Sequence, residues 1–196
     1  MPLTPDAVAT LSKVTTATIT TVLLKKGLRN IWLRGARPLR PGQKRLVGPA
    51  FTLRFVPARE DLATPASWGN PISTRAAIEA MPPECVVVAD AMGITDAGIF
   101  GDILCARMVK RNVAALVTDG VVRDLAGVLA TGMPVWCQGG AAPPSVAGLT
   151  FVGWQQPIGC GGVAVMPDDA VVIDDDGAVL IPHALLAEVV AEAPEQ

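Results

Sequence analysis

Between Cys85 and Cys137, three short, unbroken apolar runs alternate with two stretches of helical period. Cys85 to Ala89 (CVVVA) ends at Asp90, Val113 to Val117 (VAALV) ends near Asp119-Gly120, and Pro134 to Cys137 begins a third run. Between them, Asp102 to Asn112 carries Ile103, Leu104, Ala106, Met108 and Val109 at helical spacing, and Asp124 to Thr131 reads as a short helix closed by Gly132. A strand that is apolar at every position, rather than at alternate ones, has both faces covered. The alternation therefore predicts a β-α-β-α-β unit with a parallel sheet buried on both sides.

The flanks differ. Pro5 to Lys26 reads as one helical region, with Val8, Leu11, Val14, Ile19, Val22 and Leu23 near helical spacing and Gly27 as its stop. Leu46 to Val56 reads as a strand interrupted near its start by Gly48-Pro49, and Ala58 to Ser73 as a long polar loop of the kind that carries function. The C-terminal third is β-rich. Thr150 to Trp154, Gly162 to Val165, Ala170 to Ile173 and Ala178 to Ile181 are the expected strands, the last two joined by a solvated Asp174-Asp175-Asp176-Gly177 hairpin turn. His183 to Glu192 is the expected final helix. The whole of 1–196 is expected to form one α/β domain, with an N-terminal helical region at 1–30 and a C-terminal helix at 183–196.

Composition removes several function classes. The chain has 196 residues, 51% of them hydrophobic and 17% charged, which excludes a disordered protein. A net charge of −2 argues against nucleic acid as the partner. No apolar run approaches the roughly 20 residues that span a bilayer, and no basic stretch precedes an apolar one at the N-terminus, so neither a membrane span nor a signal peptide is expected. Cys85, Cys105, Cys137 and Cys160 form no C-x-x-C, and His183 is the single histidine, so buried free thiols in a reducing cytoplasm are expected rather than a zinc site.

Ligands of a parallel α/β sheet collect beyond the carboxyl ends of its strands. Three stretches project there: Asp90 to Gly101, Asp119 to Asp124, and Gln138 to Pro144. Gly101-Asp102-Ile103-Leu104 opens a helix, whose first N–H groups lack intrahelical acceptors and favour an anion. Asp102 could equally be a plain helix cap. Arg123 can hold a carboxylate through two parallel bonds, and Asp124 can ligate a hard divalent cation. Together they suit a chelating 2-oxo acid, although a lone Arg-Asp pair also reads as an N-cap beside a surface arginine.

At these residues the chain resembles the superfamily that contains the regulator of ribonuclease activity A and the class II 4-hydroxy-4-methyl-2-oxoglutarate aldolases. The resemblance centres on GDILCARMVKRNVAALVTDGVVRD (101–124), where Asp102, Arg123 and Asp124 match the aldolase pattern D-x20-R-D-x2-[ED]. LRPGQKRLVGPAFTLRF (39–55), CVVVADAMG (85–93) and VVIDDDGAVLIP (171–182) support it. It implies a layered β/β/α fold of swivelling-domain type, and a homotrimer or hexamer with sites at subunit interfaces. It also implies Mg²⁺ or Mn²⁺ held directly by Asp124. Arg123, helped by the backbone N–H groups of Ile103 and Leu104, would bind the pyruvyl carboxylate or carbonyl region. Asp102 would act through water at the metal. Two positions depart from the pattern. Gly127 stands where the aldolases have an acid, and Thr21 where many relatives have Asp. A further acid is expected across the interface from near the C-terminus, with Glu188 and Glu192 as candidates.

The activity this implies is divalent-metal-dependent retro-aldol cleavage of a 4-hydroxy-2-oxo acid to pyruvate, with oxaloacetate decarboxylation as a side reaction through the same enolate. Two alternatives stand beside it: a non-enzymatic regulator of a ribonuclease, and a lyase for a different 2-oxo acid or dicarboxylate.

Overall fold

A computed structural model describes residues 3–195. The predicted parallel unit is present. Strands β2 (Leu46–Pro57), β3 (Val86–Asp90), β4 (Ala115–Thr118) and β5 (Val135–Cys137) run parallel in that spatial order. Helices α3 (Thr74–Ala80), α4 (Asp102–Lys110) and α5 (Leu125–Thr131) make the crossovers between them. The short β1 (Arg37–Pro38) closes the β5 edge antiparallel. At the other end, β7 (Ala170–Asp174) and β8 (Gly177–Ile181) form an antiparallel hairpin that continues the sheet from β2, and β6 (Leu149–Trp154) pairs with the far half of β2.

The changeover along β2 falls at the Gly48-Pro49 step. Residues Leu46 to Pro49 pair with β7, and residues from Ala50 onward pair with β3. Proline has no N–H to give a ladder, so it sits where one partner hands over to the next. The sequence suggested an interruption here; the strand instead runs unbroken and changes neighbours.

Strand alternation divides the interior into three layers. Val87, Ala89 and Leu116 face α3, α4 and α5, meeting Ile78, Cys105, Met108 and Val128. Val86, Val88, Ala115, Val117 and Trp136 face the opposite way, against Val171, Ile173, Ala178 and Leu180 of the hairpin. The hairpin's other face (Ala170, Val172, Val179, Ile181) is covered by α1 (Pro5–Leu11), α2 (Thr16–Lys25) and α6 (Leu186–Glu192). Each layer is sealed on both sides, which is why the strands lack polar alternation. This is the layered α/β architecture expected, with a β-rich C-terminal third.

Four local expectations are corrected, and one helix is added. The N-terminal helical region is two helices bent by 104°. Thr15 caps the second by accepting from the Thr18 amide. The Asp174 carboxylate accepts from the Thr16 amide (2.9 Å) and hydroxyl (2.7 Å). Asp174 is therefore a buried anchor rather than part of a solvated turn. Gly162 to Val165 is not a strand, because Cys160–Gly162 forms a 3-10 turn with Gly161 in the left-handed region (φ 57°). The C-terminal helix begins as a 3-10 turn at His183–Leu185. Finally, α3 was not anticipated; Ser73 caps it, its hydroxyl accepting from the Ala76 amide.

Candidate active site

The three stretches projecting from the carboxyl edge are joined by backbone hydrogen bonds. The amide of Gly98 donates to Pro143 O, Ile99 to Val121 O, Val122 to Gly139 O, Ala141 to Val122 O, and Arg123 to Phe100 O (2.8 Å). This places Arg123-Asp124 directly beside Gly101, the first turn of α4. A Cβ on Gly101 would lie 2.9 Å from Asp124 Oδ2. Glycine there lets the carboxylate and the helix start share one space.

Asp124 precedes α5 but does not cap it, since its side chain accepts no helix amide. Its backbone is left-handed (φ 54°, ψ 51°). Such a conformation costs a non-glycine residue roughly 1–3 kcal/mol and persists where the surroundings enforce it, often at functional sites. The carboxylate, half-exposed at 51%, accepts instead from Arg123 Nε at 3.2 Å. Asp102 is the first residue of α4, with Gly101 at the cap position, and its Oδ1 accepts from the Ile103 amide at 2.7 Å. Of the two amides expected to meet a substrate carboxylate, that of Ile103 is thus held by Asp102. That of Leu104 lies in the first turn, where a helix supplies no intrahelical acceptor.

All six residues singled out from the sequence (Gly101, Asp102, Ile103, Leu104, Arg123 and Asp124) line one cavity of about 490 Å³. The long loop and the Gln138 to Pro144 stretch supply walls, as expected, through Trp68 and Pro144. The α3 residues Arg75, Ile78 and Glu79 also line it and were missed with their helix. The Ser73 cap before Arg75-Ala76-Ala77-Ile78-Glu79, a run of good helix formers, was the available signal. Arg107 Nε and Nη2 each donate to Glu79 at 2.7 Å, and the bond holds the Glu79 carboxyl below its usual range.

The other polar residues of this edge serve a different recess. Asp90 accepts from Met92 and Gly159, while the buried Asp119 accepts from Ala91 (2.8 Å) and Gly161 (3.0 Å). Burial pushes the Asp119 carboxyl up. Near the C-terminus, Glu188 and Glu192 both bind Lys26 at 2.7 Å, tying α6 to the end of α2. Each of the candidate cross-interface acids is therefore already paired within its own chain.

Among the described residues no three His, Cys, Asp or Glu side chains converge on one point. A cation in this cavity would be held by Asp124, with Asp102 nearby, and otherwise by water and substrate oxygens. Carboxylate oxygens in small number, with room for water, fit Mg²⁺ or Mn²⁺ and not a thiolate- or imidazole-seeking ion.

Fold and site together define a layered α/β protein with an arginine-carboxylate cradle at a helix N-terminus. The chain belongs to the RraA-like family described as Aldolase/RraA, whose family model matches residues 15–180. It is 34% identical to Streptomyces coelicolor RraAS2, described as an unusual member of the RNase ES inhibitor RraA protein family; the structures superpose with a TM-score of 0.88 over 100% of this chain and 93% of that one. It is 32% identical over 158 residues to protein DlpA of Legionella pneumophila, covering 81% of this chain but only 25% of that protein. It is also 32% identical over 152 residues to a Halalkalibacterium halodurans protein named "Putative 4-hydroxy-4-methyl-2-oxoglutarate aldolase", covering 77% of this chain and 66% of the relative.

Proposed function

We propose that the protein is a divalent-metal-dependent lyase that cleaves 4-hydroxy-4-methyl-2-oxoglutarate or a similar 4-hydroxy-2-oxo acid to pyruvate. The observation that carries this reading is the joint presence of Asp102, Arg123, Asp124 and the α4 N-terminus around one cavity. Arg123 binds the 2-oxo acid's carboxylate through its guanidinium, with the Leu104 amide and the helix dipole adding to the attraction. Asp124 holds the cation, which when bound supplies Lewis-acid stabilisation of the negative charge that develops on the substrate's 2-oxo oxygen. Asp102 accepts the proton of the substrate's 4-hydroxyl group through an intervening water. The C3–C4 bond then breaks, leaving the pyruvate enolate and a carbonyl product. The enolate gains a proton at C3 to give pyruvate. Oxaloacetate decarboxylation yields the same enolate and is the expected side activity.

The test is pyruvate release from 4-hydroxy-4-methyl-2-oxoglutarate in the presence of Mg²⁺. Activity abolished by EDTA and by Asp124→Ala supports the reading. Activity that survives both overturns it.

The near-complete overlap with RraAS2 favours one second reading, a non-enzymatic inhibitor of an RNase E-type ribonuclease. Inhibition of such a nuclease by protein carrying Asp124→Ala, together with no lyase activity in the wild type, would establish it. A lyase acting on another 2-oxo acid or dicarboxylate is distinguished by screening those substrates in the same pyruvate assay.

We further propose a homotrimer, or a hexamer of trimers. Ile103 is 78% exposed at the mouth of the cavity, and Leu125 and Leu129 on α5 are each 40% exposed. Apolar groups so placed suit coverage by a neighbouring subunit. Light scattering at three or six times the 20.3 kDa chain mass supports this; the monomer mass refutes it. A reducing compartment is supported by all four cysteines being buried free thiols.

A further inference from the structure

The cavity has a second wall that the chemistry at Asp124 does not use. It is built from the 3-10 turn Pro65–Gly69 and from α3, and it presents Trp68, Thr74, Arg75 and Ile78.

Six charged side chains line the cavity as a whole: Arg75, Arg107 and Arg123 against Glu79, Asp102 and Asp124. Two of the arginines have carboxylate partners. Arg107 is clasped by Glu79 through two bonds of 2.7 Å, and Arg123 meets Asp124 at 3.2 Å. Arg75 makes no hydrogen bond or ion pair among the described residues. Its guanidinium instead lies over the ring of Trp68, 5.8 Å from the centroid. A cation–π contact orients the group but leaves its charge and its donors available.

The protein charges facing the cavity balance, three against three. A divalent cation leaves two positive charges uncancelled. A 2-oxo acid with a single carboxylate cancels one of them; a 2-oxo acid with a second carboxylate cancels both. With the pyruvyl end taken by Arg123, the remaining uncompensated donor set is that of Arg75 on the α3 wall.

We infer that Arg75, oriented by Trp68, is the residue that binds the second carboxylate of the proposed diacid substrate and so selects its far end. The inference rests on the proposed binding of the pyruvyl end at Arg123. Arg75 is a specificity residue here. It touches the distal carboxylate and no reacting atom.

The test uses binding rather than turnover. 2-Oxoglutarate and 2-oxopentanoate share a five-carbon chain and differ in the second carboxylate, and neither has the 4-hydroxyl group needed for cleavage. Their dissociation constants are measured by calorimetry in Mg²⁺ buffer. The wild type is expected to bind 2-oxoglutarate about tenfold more tightly or better, the value of a charge-assisted hydrogen bond. Arg75→Met should remove that preference while leaving 2-oxopentanoate binding unchanged, which also reports that the variant is folded. Arg75→Lys should keep part of the preference, and Trp68→Leu should weaken it without touching the monoacid. Equal binding of the two acids by the wild type, binding of neither, or an unchanged ratio in Arg75→Met overturns the assignment. A diacid preference without pyruvate release from 4-hydroxy-4-methyl-2-oxoglutarate would refute the lyase reading and leave Arg75 as assigned. Pyruvate release without any diacid preference would do the reverse.

Discussion

A Cβ on Gly127 would lie 2.7 Å from the Cβ of Asp102 and 3.1 Å from its Oδ2. Helices α4 and α5 pack side by side, and the absence of a side chain at 127 is what lets Asp102 occupy the groove between them. Gly127 stands where the aldolase pattern has an acid, so in this chain the same space belongs to Asp102. Gly127→Ala should leave the melting temperature within a few degrees, because overpacking of about 1–3 kcal/mol is offset in part by the roughly 1 kcal/mol gain in helix propensity. It should lower kcat/KM by about tenfold to a hundredfold by displacing Asp102. Gly127→Glu should behave no better, since it cannot add an acid without moving the one already there. Thermal melts beside pyruvate-release kinetics separate the two effects.

Asp124 combines a left-handed backbone with a carboxylate that caps nothing. Asp124→Gly removes both the strain and the carboxylate. It is expected to raise unfolding stability by about 1 kcal/mol while abolishing metal-dependent activity. Urea denaturation of the wild type and of the variant checks the first half, and the pyruvate assay checks the second.

Asp174 lies at the junction of three elements. Besides the Thr16 bonds, its Oδ1 accepts from the Asp176 amide at 3.0 Å, and Oδ2 is 3.5 Å from Arg45 Nε. Asp174→Ala would leave the Thr16 amide and hydroxyl unpartnered at the start of α2 and leave Arg45 without its carboxylate. A loss of about 2 kcal/mol is expected, within the range for a lost cap and an unsatisfied buried donor. Asp175→Asn should cost almost nothing. Chemical denaturation measures both, and kcat/KM should stay unchanged in each.

The cysteines are expected to be inert. Burial pushes the Cys85 and Cys105 thiols up to about 12, and it raises those of Cys137 and Cys160 as well. The thiolate is the reactive form. Ellman's reagent at pH 8 should therefore titrate close to none of the four thiols in the native protein, and all four in guanidinium chloride.

Glu79 has a depressed pKa because Arg107 hydrogen-bonds its ionised form, with the charges of Arg107 and Arg111 adding to the effect. Its contribution is thus present above the unfolded value of about 4.3 and is lost as pH falls through the lower folded value. Carbon-detected NMR titration should find Glu79 below the usual glutamate value in the wild type and near it in Arg107→Ala. In the variant the freed Glu79 charge should also weaken 2-oxoglutarate binding.

Much of the sheet was legible because burial on both faces leaves short, unbroken apolar runs whose length and flanking turn residues mark them as strands. The Val86 to Ala89 and Leu116 to Val117 runs are of this kind. The motif residues were legible because a fixed spacing, Asp102 to Arg123-Asp124, is a local property of the chain. What escaped was set by tertiary partners. The bend between α1 and α2 depends on Asp174, far away in sequence. Gly162 to Val165 pairs only at Val165, which bridges Ile158, because the turn before it is held by Asp119. The role of α3 was invisible because Trp68 and Arg75 meet the motif only through the way α3 packs on α4.

The motif side of the cavity is joined by main-chain bonds between Gly98–Phe100 and Val121–Arg123, and those bonds do not depend on side-chain identity. The wall that carries Trp68 and Arg75 is a turn and a two-turn helix inserted between β2 and β3. Loops of that kind can exchange residues with little disturbance to the sheet. Changing Trp68 or Arg75 would therefore alter the cavity's chemistry while the Asp102, Arg123 and Asp124 side stays intact. By the same logic, grafting the 65–79 segment of a relative onto this chain would replace that wall and leave the main-chain bonds of the motif side in place.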